Sequence, residues 1–185
     1  KAIKENPDAK AVLINNPTYY GVCSDLKAIV ELAHKHNMKA LVDEAHGTHL
    51  YFGEDMPING MAAGADMASV SMHKSGGSLT QSSILLCGKS INSAYVRQVI
   101  NLTQTTSASY LLMSSLDIAR KNLALNGKEI FAKAVKYAEY ARSEINKIGG
   151  YYAFGAELND NDAFYAFDKT KLSINTLDTG LAGIE

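Results

Sequence analysis

Short apolar runs alternate with amphipathic stretches through the first half of the chain, and this alternation constrains the fold most. Ala11-Val12-Leu13-Ile14-Asn15 is an apolar run halted by Asn16-Pro17, the pattern of a buried strand ending in a turn. Ser24 stands where it would cap a helix whose Leu26, Ile29, Val30 and Ala33 share one face. His34, Lys35 and His36 crowd its last turn, where cations complement the helix dipole. Residues 39–43 read as the next strand, 66–71 as a third and 83–87 as a fourth. Strand, helix and strand in that order predict a parallel α/β sheet.

The second half is helical. Residues 92–101 form a short helix, and 109–126 a longer one with Leu112, Leu116, Ala119 and Leu123 on one face, closed by Gly127. Residues 128–148 form another, stopped by Gly149-Gly150, and two strands follow at 151–155 and 164–171. At 185 residues and 46% hydrophobic, the chain has enough apolar material for a core. A formal charge of −1 leaves no electrostatic footprint for nucleic acid or an anionic membrane. Cys23 and Cys87 lack partner motifs and read as reduced core thiols, which favours a cytoplasmic location. Tyr137, Tyr140, Tyr151 and Tyr152, with Met56, Met61, Met67 and Met72, read as packing residues.

Asp43-Glu44-Ala45-His46 suggests a helicase box, but that needs a phosphate loop upstream. The only Gly-Lys-Ser, at Gly88, lies downstream with Ser83 in place of the first glycine. A metal site of His46, His49 and Asp43 lacks a helix to align the histidines, so no metal is expected. Position offers a third reading. Asp43 and Ser71-Met72-His73-Lys74 close neighbouring parallel strands, at the rim where such sheets bind ligands. A lysine that loses water in a pocket can form a Schiff base, and an aspartate can keep a pyridine nitrogen protonated. These are the parts of a pyridoxal-phosphate site. A solvated loop lysine and a helix-capping aspartate would give the same spacing.

Three segments carry a resemblance: Asn16-Pro17-Thr18-Tyr19-Tyr20-Gly21-Val22, Val42-Asp43-Glu44-Ala45-His46-Gly47-Thr48-His49, and Ser71-Met72-His73-Lys74 with Leu79-Thr80-Gln81. In this order they resemble the major domain of the ornithine/lysine/arginine decarboxylases, pyridoxal-phosphate enzymes of the aspartate-aminotransferase fold (fold type I). Thr105-Thr106-Ser107-Ala108-Ser109-Tyr110 and Ser115-Leu116-Asp117-Ile118-Ala119-Arg120 are similar to a further block of that family. The likeness is strong over residues 11 to 126 and loose beyond.

The resemblance implies an α/β, mostly parallel sheet flanked by helices, then long helices and the start of a smaller α+β subdomain. It divides the chain into a cofactor-binding segment 1–127, a connecting helix 128–148 and the start of a second subdomain at 149–185. Lys74 would carry the Schiff base, Asp43 would face the pyridinium nitrogen and Ala45 would pack on the ring. Ser71 and His73 would hold the phosphate, and His46 would lie near the ring or the substrate carboxylate. Thr18 would approach the phenolic oxygen, and Thr106 and Ser107 the phosphate of a neighbouring subunit in a homodimer. The implied reaction is decarboxylation of lysine, arginine or ornithine, with proton return from Lys74 or His46. An aminotransferase or an acyl-transferring synthase of the same fold type is the rival reading. The segment lacks the upstream glycine- and serine-rich phosphate turn and the ring-stacking residue, which implies an incomplete site that is inactive alone. Residues 178–185 read as the start of a helix.

Overall fold

The computed structural model describes residues 1–160 and 164–180. A one-turn helix α1 (Ala2–Glu5) precedes β1 (Ala11–Asn15), β2 (Val22–Cys23), α2 (Leu26–Lys35) and β3 (Lys39–Glu44). A 3-10 turn at Thr48–Tyr51 leads on to β4 (Met67–Val70), α3 (Met72–Ser75) and β5 (Ile84–Cys87). Two helices follow, α4 (Ser93–Thr103) and α5 (Tyr110–Ile148), then β6 (Tyr152–Ala153), β7 (Ala166–Phe167) and β8 (Ile174–Asn175).

The main sheet has the order β1-β3-β4-β5. β1, β3 and β4 are parallel, with Asn15, Asp43 and Ser69 in register. β5 runs antiparallel to β4, which corrects the expectation of a parallel fourth strand. The physical reason is the connection 71–83, whose only helix is a single turn, too little for a parallel crossover.

Strand alternation gives the sheet a closed and an open face. Ile14, Ala40, Val42 and Ala68 turn inward against Leu26, Val30 and Ala33 of α2. Leu26, at 0% exposure, and Val30, at 1%, each contribute about 1.5–3 kcal/mol by leaving water. On the opposite face Leu13 stays exposed, and Asp43 and Ser69 stand on that same side.

Local chemistry moved several boundaries. The cap of α2 is Asp25, whose carboxylate accepts from Ala28 N at 3.0 Å. Ser24 instead donates its amide to Asn16 Oδ1 at 2.8 Å. Asp66 is drawn out of β4 by four donors: Ala40 N, Lys39 Nζ, His34 Nε2 and Ser90 Oγ. Burial pushes its carboxyl upward, but these bonds outweigh that and hold it far below the usual range.

Gly127 does not end a helix. α5 continues through it for 39 residues, because the missing side chain makes room for Phe52, whose Cβ would lie 2.7 Å from any Cβ at 127. Helix propensity disfavours a mid-helix glycine, and packing overrides it. Of the tyrosines expected to pack, Tyr137, Tyr140 and Tyr152 are exposed. Tyr137 lies under the Lys133 ammonium, 5.8 Å from its ring centre. Met72 is fully buried, whereas Met56, Met61 and Met67 are half-buried. Both cysteines are free thiols, and burial pushes Cys23 up to about 12, which leaves it inert. The two late strands shrink to 152–153 and 166–167, and of the helix expected from 178 onward, 181–185 lie outside the described residues. Among the described residues, no helix is long and apolar enough to cross a membrane.

Candidate active site

Two strand ends build the site. β3 delivers Asp43 and Glu44, and the chain then leaves the sheet through Ala45, His46 and Gly47. Gly47 is required there. A Cβ at that position would come within 2.8 Å of Pro17 Cδ and 3.1 Å of Glu44 Cβ. The tight passage sets His46 edge-on to Tyr19, with ring centres 5.1 Å apart. One strand over, β4 ends at Val70 and α3 begins after Ser71. Met72 anchors α3 in a cluster with Ala119, Leu123 and Phe131. The buried methionine therefore fixes the turn that carries His73 and Lys74.

Across the gap between the two strand ends, Lys74 Nζ lies 3.4 Å from His46 Nε2. Burial and then the Lys74 and Lys171 ammonium groups hold His46 below its ordinary value, so its imidazole is neutral at pH 7. Asp43 accepts from Ala45 N through Oδ1 at 3.0 Å. Its Oδ2 has no partner among the described residues. His73 pairs Nδ1 with the Ser82 carbonyl at 2.9 Å, which leaves Nε2 free. The Ser71 carbonyl accepts from Thr48 Oγ1 at 3.1 Å, and the Ser71 hydroxyl has no partner among the described residues.

The remaining expected residues divide. Thr18 lies in the loop facing His46, but its hydroxyl accepts from Val22 N at 3.1 Å and so closes that loop. Thr106 and Ser107 do not join the Lys74 cluster. They stand exposed on the link between α4 and α5, where Ser107 N donates to Thr105 Oγ1.

Three participants were missed from the sequence. His49 pairs with Asp168, Nε2 to Oδ2 at 2.7 Å, both fully buried. Its Nδ1 faces Ser75 Oγ at 3.4 Å, next to Lys74. Burial pushes Asp168 up, but His49 and Thr170 outweigh this and hold it below the usual carboxylate range. The third is Lys171, the second cation that His46 feels. The Asp-x-Thr spacing of 168–170 is a local turn signal, and Thr170 N indeed donates to Asp168 Oδ1 at 3.0 Å. Nothing local points from Asp168 to His49, which lies 119 residues away.

The donor set suits pyridoxal phosphate: an unpaired carboxylate oxygen, a lysine amine beside a neutral imidazole, and a free hydroxyl with a free ring nitrogen.

The family model described as "Orn/Lys/Arg decarboxylase, major domain" matches residues 1–176. The chain is 48% identical over 184 residues to the arginine decarboxylase of Bacillus subtilis (strain 168), covering 99% of this chain and 38% of that protein. It is also 48% identical to the arginine decarboxylase of Halalkalibacterium halodurans, covering 100% of this chain and 38% of that one. The chain thus spans well under half the length of these relatives. Among solved structures, the constitutive lysine decarboxylase of E. coli matches with a TM-score of 0.64 at 20% identity, over 78% of this chain and 22% of that one. The serine palmitoyltransferase of Sphingomonas wittichii matches with a TM-score of 0.62 at 20% identity, over 78% and 36%. Identities this low speak for the shared fold alone.

Proposed function

This chain belongs to the Orn/Lys/Arg decarboxylase family, and from that premise we propose that the intact protein decarboxylates arginine with pyridoxal phosphate held at Lys74. The fold is the α/β, mostly parallel fold-type-I architecture of pyridoxal-phosphate enzymes. The observation that carries the proposal is the meeting of Lys74 with a neutral His46 across the gap between two strand ends, one of them carrying Asp43 with its unpaired oxygen. Arginine is favoured over lysine and ornithine because the 48%-identical relatives are named for it.

When bound, the cofactor supplies an electron sink for the bond to the departing carboxyl group. Asp43 Oδ2 accepts from the protonated ring nitrogen and stabilises that charge. Ala45, bonded through its amide to Asp43, presents a small side chain to the ring. The Ser71 hydroxyl donates to the phosphate. His73 commits Nδ1 to the Ser82 carbonyl and faces the phosphate with Nε2. Lys74 supplies the amine that links the cofactor, the neutral His46 accepts a hydrogen bond from it through Nε2, and either residue is placed to return the proton to the substrate carbon. Thr18 keeps a hydroxyl hydrogen to offer the phenolic oxygen.

The segment around Thr106 and Ser107 serves a second copy of the chain. Leu102, Tyr110, Leu111 and Met113 flank it and are all exposed, an apolar strip that a homodimer would cover.

Lys74→Ala in the intact protein tests the core of this reading. It should lose both carbon dioxide release from arginine and the visible absorbance of the lysine-linked cofactor. Retained turnover would sink the assignment.

A further inference from the structure

The proposed chemistry leaves one charged group at the site without a task. Lys171 follows the Asp168–Thr170 turn, and its backbone is pinned on both sides. Its amide donates to the Asp168 carbonyl at 3.0 Å, and its carbonyl accepts from Arg142 Nη2 at 2.6 Å. The stem lies over Gly21, where an added Cβ would come within 2.8 Å of Lys171 Cγ. Gly21, at φ 90°, closes the loop that sets Tyr19 against His46. Asp168, clamped on His49, holds the turn from below. The side chain is half-buried, yet its ammonium makes no hydrogen bond or ion pair among the described residues. Its charge is felt at His46, which it helps to keep neutral.

Resting on the reading that the site decarboxylates an amino acid, we propose that Lys171 binds the α-carboxylate of the substrate. With His46 neutral and Lys74 committed to the cofactor, Lys171 is the ammonium left at this rim to draw an anion. Asp43 is committed to the ring nitrogen, Ser71 and His73 to the phosphate, and Lys74 to the cofactor link. The substrate's carboxylate is the anion left over. The same ammonium repels a guanidinium, so it also sets which end of arginine enters first. The carboxylate loses its charge as carbon dioxide departs. Contact with Lys171 is therefore stronger before the transition state than in it, and the residue contributes affinity rather than rate.

Two substitutions in the intact, cofactor-loaded protein test this. Lys171→Met keeps the aliphatic stem on Gly21 and removes the charge, whereas Lys171→Arg keeps the charge. Initial-rate measurements compare the KM for arginine with the inhibition constant of its decarboxylated amine, which lacks the carboxylate. Lys171→Met should weaken arginine binding by about tenfold or more while the amine binds within about twofold of the parent. Lys171→Arg should recover most of the loss, and in turnover the defect should fall on KM. Equal weakening of both ligands, or of neither, overturns the proposal. Absence of lysine-linked cofactor absorbance in the parent would refute the Lys74 reading instead, and the two-ligand comparison judges Lys171 in either case.

Discussion

Replacing His49 with alanine should cost the intact protein about 3–5 kcal/mol of folding stability, the usual penalty for leaving a buried charge without its partner. The two side chains are 2% and 0% exposed and meet at 2.7 Å. Removing the imidazole leaves Asp168 Oδ2 without a donor, while Oδ1 keeps Thr170 N at 3.0 Å and Thr170 Oγ1 at 2.7 Å. A half-satisfied buried carboxylate is the expensive outcome, and the lost ring contact with Phe131 adds to it. Asp168→Asn keeps the shape and removes the charge, so its cost should be smaller, about 1.5–3 kcal/mol. The pH dependence has a definite sign. Asp168 is held below its ordinary value, so its contribution is fully present above the unfolded value of about 4 and is lost as pH falls through the lower folded value. Urea unfolding of the parent, both single variants and the double variant across pH measures each quantity. A His49→Ala loss under about 1 kcal/mol, or one that persists undiminished at the acid end, would refute the reasoning.

Two further outcomes are expected. Asp66→Asn removes the charged acceptor shared by Ala40 N, Lys39, His34 and Ser90 at a site 4% exposed, and should cost about 2–3 kcal/mol by urea unfolding at neutral pH. Since Asp66 is depressed, that difference should shrink as pH falls below about 4, and a difference independent of pH would speak against the charge. Leu102→Asp, on a side chain 86% exposed, should leave the fold unchanged and shift sedimentation of the intact protein from dimer to monomer, and unaltered sedimentation would remove this strip from the interface.

How legible the molecule was depended on the range of the interaction. β1, α2 and β3 were visible because period and turn chemistry act over a few residues, and their burial patterns follow the side-chain alternation. The position of Asp43 at the end of β3, and of the turn carrying Lys74 just after β4, was legible for the same reason, since each follows a run of apolar residues. Gly127 misled because a glycine that ends a helix and a glycine that admits Phe52 look alike in one dimension. The tyrosines of α5 misled because their spacing says which face they share and not whether anything covers it. His49 was grouped with His46 by proximity in sequence, and the structure gave it Asp168 as its partner instead.

The sequence by itself determined the alternation of strands and helix, the strand ends that carry Asp43 and Lys74, and the family to which those motifs belong. Propensity, capping and apolar periodicity are local, so they are written in order along the chain. Only the tertiary structure decided that Asp168 reaches back to His49 and that Lys171 comes to lie over Gly21. These depend on which buried charge finds a partner and which side chain fills a gap left by a glycine. Both are set by packing between segments far apart in sequence, where no local pattern records the match.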